Sequence, residues 1–261
     1  MTSAKASPLR QERSEAASSA ERASQPARRP RDAATLVIVD STSPAPRILM
    51  GRRRPDQVFL PNTFVFPGGR VEAADRAIAR HHTLAPIDSE CLKIAMRGRA
   101  SNTRAAALAL AAIRETYEET GIVVGETARD ERGDHPGGWQ AFRAEGFQPR
   151  LERLAFFARA ITPPGRPRRY DTRFFLVDAS EIAHRAAHSD GELLDIDWFT
   201  LDQARALKVP SITRHVLDDV ATLLARESHE RVGSEIPFYV HRYGRFERQI
   251  LPRVHPAMDP T

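Results

Sequence analysis

The stretch Arg114-Glu115-Thr116-Tyr117-Glu118-Glu119-Thr120-Gly121-Ile122 constrains this chain more than any other. It sets three carboxylates within five residues, directly after a run of mostly strong helix formers, Ala105 to Ile113. Ser101, Asn102 or Thr103 offers a cap for the start of such a helix, and Gly121 a left-handed stop at its end. Helical spacing puts Glu115, Glu118 and Glu119 on one side, where the backbone dipole already concentrates negative charge. On a solvated face, Arg114 alone could serve as counter-charge. The apolar run on the same helix argues for burial instead, and a buried carboxylate cluster needs a positive partner. A hard dication, Mg²⁺ or Mn²⁺, would offset far more charge than one guanidinium and keeps positions open for water and phosphate.

A second stretch lies upstream. Leu60-Pro61-Asn62-Thr63-Phe64-Val65-Phe66 is an apolar, strand-like run that breaks into Pro67-Gly68-Gly69, followed by Arg70-Val71-Glu72. Glycines there let the backbone turn sharply and approach a ligand. Together the two stretches resemble the Nudix box, Gly-x5-Glu-x7-Arg-Glu-U-x-Glu-Glu-x-Gly-U with U aliphatic. Gly69 fits its first glycine, and Arg114, Glu115, Glu118, Glu119, Gly121 and Ile122 fit its second half. Asp75 stands where the pattern has Glu, and Thr116 where it has an aliphatic residue. The spacing also departs: 38 residues separate Asp75 from Arg114 where the pattern has seven. The split box looks like the branch containing the peroxisomal acyl-CoA diphosphatases. So do Ile48-Leu49-Met50-Gly51-Arg52-Arg53, Ile161 to Pro164 and Arg169 to Phe175.

The resemblance implies a Nudix fold: an α/β class, with an α/β/α sandwich around a mixed β-sheet. The order of expected elements, strand, strand, glycine loop, helix, strands, helix, agrees with it. The resemblance also implies a hydrolase that cleaves a diphosphate bond with Mg²⁺ or Mn²⁺ held by Glu115, Glu118 and Glu119. Arg114 orients the cluster, and Gly68, Gly69 and Glu72 line the metal–pyrophosphate site. The branch implies CoA or acyl-CoA as substrate, giving 3′,5′-ADP and a 4′-phosphopantetheine product. A carboxylate shortly before Trp198 is a familiar feature of the family; Glu192 is the first candidate and Asp190 the second. Glu118 and Glu192 are the candidates for general base, unranked by sequence. Arg52 and Arg53, on a loop after a strand, are candidates to attract an anionic substrate. Two rivals remain: another nucleoside diphosphate derivative such as NADH, ADP-ribose or a nucleotide sugar, or a non-catalytic nucleotide- or RNA-binding module.

Composition adds bounds. The chain has 261 residues, a net charge of +5 and a pI near 9.8, with the positive charge almost all Arg. That balance suits a polyanionic ligand without choosing one; a small-molecule diphosphate is the expected partner, and nucleic acid is not. The single cysteine, Cys91, excludes an internal disulfide and a cysteine-based zinc cluster. No apolar stretch approaches a membrane span and no hydrophobic signal opens the chain, so a cytoplasmic protein is expected.

Residues 1–32, rich in Ser, Ala, Arg, Glu and Pro, read as a disordered tail, with the domain spanning 33–261. Strands are expected at Thr35–Val39, Ile48–Met50, Phe64–Phe66, Leu154–Ala158, Arg173–Val177 and Glu192–Phe199. Helices are expected at Trp139–Glu145, Leu201–Leu207 and Ser211–Leu224, and a hairpin over Ile236–Leu251. The insertion, residues 76–100, carries an exposed His81-His82 pair and a short helix, Ile87–Met96. Its open roles are a lid, a homodimer contact or a loose loop.

Overall fold

A computed structural model of the chain describes residues 29–128, 136–187, 189–226 and 235–252. Most of the expected tail therefore lies outside the described residues, but Arg31 and Asp32 do not. They open strand β1 (Arg31–Asp40), which starts earlier than the hydrophobic run alone indicates. Parallel pairing carries that extension: Arg31 lies opposite Tyr170 and Asp32 opposite Asp171 on β8 (Tyr170–Asp178).

β1 sits inside a nine-stranded mixed sheet. On one side come β2 (Arg47–Arg53) and the edge strand β10 (Leu193–Thr200); on the other, after β8, come β7 (Ala155–Ile161), β11 (Ile236–Arg242) and β12 (Arg245–Leu251). Two short strands complete it, β3 (Phe64–Val65) on β2 and β4 (Gly68–Arg70) on β1. The parallel pairs are β1–β8 and β7–β11. A small second sheet joins β5 (Ile122–Thr127), β6 (Phe147–Pro149) and β9 (Ile182–Arg185).

Side-chain alternation along β1 builds both cores. Ala34, Leu36 and Ile38 point into one layer, Val37 and Val39 into the other. The second layer is filled by α5 (Leu201–Ala206) and α6 (Ser211–Leu224), through Ala204, Val216, Leu217 and Val220. The first layer is organised by α3 (Asn102–Thr120). The result is the expected α/β/α sandwich.

Helix α3 is buried around most of its circumference, which its sequence explains. Ala105, Ala106, Ala107, Ala109, Ala111 and Ala112 lie almost fully covered, and their small side chains let sheet and neighbouring helices approach closely. Ser101 caps the start, its Oγ accepting from the Arg104 amide at 3.2 Å. Gly121 ends it at φ 72°, its amide donating to the Tyr117 carbonyl at 2.8 Å.

The insertion supplies part of that cover. It contains the end of α1 (Ala73–Ile78) and all of α2 (Pro86–Lys93), a helix that starts one residue before the expected one and ends three earlier. Leu84, Cys91, Leu92 and Met96 pack into the α3 core. Asp88 accepts from the Phe156 amide of β7 at 3.0 Å. The insertion is therefore a wall of the core and not a loop standing free of it. His81 is exposed, and His82 is half-buried.

Beneath the insertion runs a buried chain of ion pairs. Arg159 grips Asp171 through two bonds of 2.8 and 2.7 Å and donates to the Ala95 carbonyl. Arg173 bridges Asp171 and Asp32, and Arg104 holds Asp32 through two bonds of 3.0 and 2.6 Å. The chain ties β1, β7 and β8 to the start of α3. Among the described residues no helix is long and apolar enough to cross a membrane.

Candidate active site

The carboxylates of α3 meet the glycine turn where β4 docks on β1. Gly68 donates its amide to Glu119 Oε2 at 2.9 Å. Both glycines are demanded by space. A Cβ on Gly68 would lie 2.5 Å from the Ala34 carbonyl oxygen, and one on Gly69 would lie 2.3–2.5 Å from the carboxylate atoms of Glu115. The turn thus lays bare backbone directly on the acid cluster. Sequence indicates only a turn there; the pairing of Gly68–Arg70 with Ala33–Thr35 fixes its position.

Arg114 is the hub, with 2% of its side chain exposed. Its Nε and Nη2 donate to the two oxygens of Asp75 at 2.9 and 3.0 Å. Nη2 also reaches the Arg70 carbonyl at 3.0 Å, while Nη1 lies 2.7 Å from Glu118 and 3.0 Å from Glu115. Asp75 is fully buried and also accepts from Trp139 Nε1 at 3.0 Å and from the Glu72 amide at 2.8 Å. Two stretches separated by 38 residues are therefore joined by one bidentate ion pair. The indole N–H of Trp139, on α4 (Gly138–Ala144), holds Asp75 from a third element.

The cluster carries more negative charge than its neighbours neutralise. Burial pushes the Glu115 carboxyl up to about 7, against the opposing pull of Arg114. Glu119 is raised well above the usual range, first by burial and then by the charge of Glu115. Glu118 is raised by burial, with Asp190 and Glu72 adding repulsion. Burial pulls Arg114 down, but Asp75, Glu115 and Glu118 more than offset it and hold the guanidinium charged. Arg53 contributes the other nearby attraction on Glu119.

The remaining candidates divide. Arg53 is half-buried and close enough to Glu119 to lower its pKa, while donating to the Phe59 carbonyl at 3.0 Å. Arg52, its neighbour on β2, pairs with Asp195 at 2.7 Å and with Asn62. Successive strand residues face opposite ways, so only one of the two can serve the cluster. Glu72 forms the N-cap of α1 and pairs with Arg70 at 2.9 Å. Glu192 lines an open groove of about 360 Å³ together with Arg54, Asp56, Gln57 and Asp190, and accepts from Gln57 at 3.1 Å. Asp190 is nearer the α3 acids: its amide donates to the Glu118 carbonyl at 2.7 Å, and its charge acts on Glu118 and Glu119. Of the two candidates, Glu192 and Asp190, the structure brings Asp190 nearer the cluster.

Two contributors had weaker sequence signals. Gly138 packs against Glu118 so closely that a Cβ would sit 1.8 Å from its Oε1. Trp139 holds Asp75. Neither belongs to a recognisable local pattern. Asp75, by contrast, occupies a position in the box.

Among solved structures, the chain is similar to a NUDIX hydrolase from Alicyclobacillus acidocaldarius, at 28% identity and a TM-score of 0.58. That match covers 79% of this chain and 96% of the other. The fold is the Nudix fold. A MutT NUDIX hydrolase from Burkholderia pseudomallei is more distant, at 17% identity and a TM-score of 0.42 over 74% of this chain and 99% of that one. No protein-family model and no curated protein sequence matches the chain. The first of these structural likenesses, with the joined halves of the split motif, supports placement in the Nudix superfamily.

Within the Nudix fold, α3 is the element that presents the acids. Their donor set is all carboxylate oxygen, in surplus over the available guanidinium groups. That chemistry fits a hard dication. Among the described residues no three Asp, Glu, His or Cys side chains converge on one centre as a ready coordination shell. Instead Arg114 holds Glu115 and Glu118, and Gly68 holds Glu119.

Proposed function

We propose that this chain is a divalent-cation-dependent Nudix pyrophosphohydrolase whose substrate is CoA or acyl-CoA. The observation that carries the hydrolase reading is the cluster of buried Glu119 with half-buried Glu115 and Glu118, all with raised pKa values, set against the backbone of Gly68 and Gly69. Surplus negative charge packed against a glycine turn suits a cation-bridged diphosphate. Glu115, Glu118 and Glu119 would hold Mg²⁺ or Mn²⁺, with Asp190 alongside. The ion would neutralise charge on the phosphates and lower the pKa of water.

The chain's own residues perform the rest. Asp75 and Trp139 lock Arg114, and Arg114 locks the rotamers of Glu115 and Glu118. Preorganised groups lose little order when substrate arrives. Arg53 adds positive charge on the substrate side of Glu119. A water oxygen forms a bond to one phosphorus, the bridging oxygen leaves with the other phosphate, and a carboxylate takes the water proton. Glu118 and Asp190 are adjacent to the cluster and suited to this role; Glu192 stands further along the groove.

The CoA preference is supported by the sequence resemblance to acyl-CoA diphosphatases. The test incubates the protein with CoA, ADP-ribose, NADH and nucleoside triphosphates in Mg²⁺ or Mn²⁺ and identifies products by mass. The expected result is 3′,5′-ADP and 4′-phosphopantetheine from CoA at the highest kcat/KM. Faster release of AMP from ADP-ribose or NADH would redirect the substrate assignment. No hydrolysis of any diphosphate would remove the enzymatic reading.

A further inference from the structure

A cavity of about 380 Å³ opens beside the glycine turn. Arg31, Arg70 and Arg76 line it, with Asp32, Val71 and Glu72. Two of its lining residues reach toward the acid cluster: the Arg70 carbonyl accepts from Arg114, and the charge of Glu72 acts on Glu118. Yet its own character is opposite.

The two carboxylates on its wall are already committed. Asp32 is taken by Arg104 and Arg173, and Glu72 by Arg70. Arg31 and Arg76 are exposed, and among the described residues neither forms an ion pair. Behind the wall, Arg173 is buried with Nη2 lacking a hydrogen-bond partner. In that ion-pair chain, among the described residues, Arg104, Arg159 and Arg173 pair with Asp32 and Asp171, leaving one positive charge over. Two free guanidinium groups on a cavity wall, backed by a cationic interior, make a site for a compact dianion.

We propose that this cavity is a second anion subsite, which takes a phosphomonoester carried by the substrate apart from its diphosphate. Arg31 and Arg76 are its donors, with Arg70 at the rim. The inference rests on the hydrolase reading for its place beside the reaction and deepens it. A substrate bearing both a diphosphate and a separate phosphomonoester fills both sites, and the 3′-phosphate of CoA is such a group. Nucleotides lacking the third phosphate fill only one.

The test has two arms. Calorimetry compares 3′,5′-ADP with 5′-AMP on the wild-type chain and on the Arg31→Gln/Arg76→Gln double variant. The wild type is expected to bind 3′,5′-ADP about tenfold or more tightly than 5′-AMP, as two charge-assisted hydrogen bonds imply. The variant, with an unchanged melting temperature, is expected to bind the two alike. Kinetics compares CoA with dephospho-CoA: the wild type favours CoA through KM, and the double variant loses that preference. Equal affinities in the wild type, or a preference that survives in the variant, would overturn the subsite. Failure to hydrolyse either CoA form, with the calorimetric preference intact, would overturn the CoA activity and leave the subsite standing.

Discussion

Replacing Asp75 by Asn tests the joint between the two halves of the site. Asp75 is fully buried and accepts four hydrogen bonds, from Arg114 Nε and Nη2, Trp139 Nε1 and the Glu72 amide. Asn retains one acceptor oxygen and turns an NH₂ group toward donors. Breaking a buried ion pair from one side costs about 3–5 kcal/mol. Glu115 and Glu118 still face Arg114, so the lower end applies, about 3 kcal/mol. For a domain of this size each kcal/mol moves Tm by about 2–4 °C, which gives a fall of about 6–12 °C. Scanning calorimetry at pH 7 reads it. Glu72→Gln is the control, since the Glu72–Arg70 pair is partly exposed and worth about 1 kcal/mol or less. A loss under about 2 °C for Asp75→Asn, or equal losses for both variants, would refute the claim that Asp75 anchors Arg114.

Other consequences follow from the same geometry. With chelator present, stability should fall as pH rises from about 4.5 to about 7. Over that window the folded Glu115 keeps the proton that the unfolded chain has released. Urea melts across that range check the slope, and a rise in stability would contradict it. Gly69→Ala drives a methyl into the Glu115 carboxylate, and kcat/KM is expected to drop by about tenfold or more; wild-type activity would show that the close contact is dispensable. Asp190→Asn should reduce kcat by about a hundredfold and Glu192→Gln by a few-fold at most; the reverse order would make Glu192 the working acid.

Much of this architecture was legible in the chain. The alanine run, Ser101 and Gly121 defined α3, because burial, capping and termination all act locally there. The acid face was legible from helical spacing alone. The start of β1 was not, since Arg31 and Asp32 are strand residues by virtue of β8 and not of their own hydrophobicity. The insertion read as open-ended because Leu84, Cys91, Leu92 and Met96 show their purpose only against α3. Asp190 ranked below Glu192 because sequence distance from Trp198 says nothing about which acid lies nearer the α3 carboxylates. Gly138 and Trp139 left no local mark, since their roles depend on Glu118 and Asp75 arriving from elsewhere in the chain.

The most direct test of the central claim is a calorimetric titration of Mn²⁺ into the wild-type chain and into Glu119→Gln at pH 7.5. Saturable binding at millimolar Mn²⁺ or below is expected in the wild type, and at least about tenfold weaker binding in the variant. Absence of Mn²⁺ binding to the wild type, or equal binding by both proteins, would contradict it.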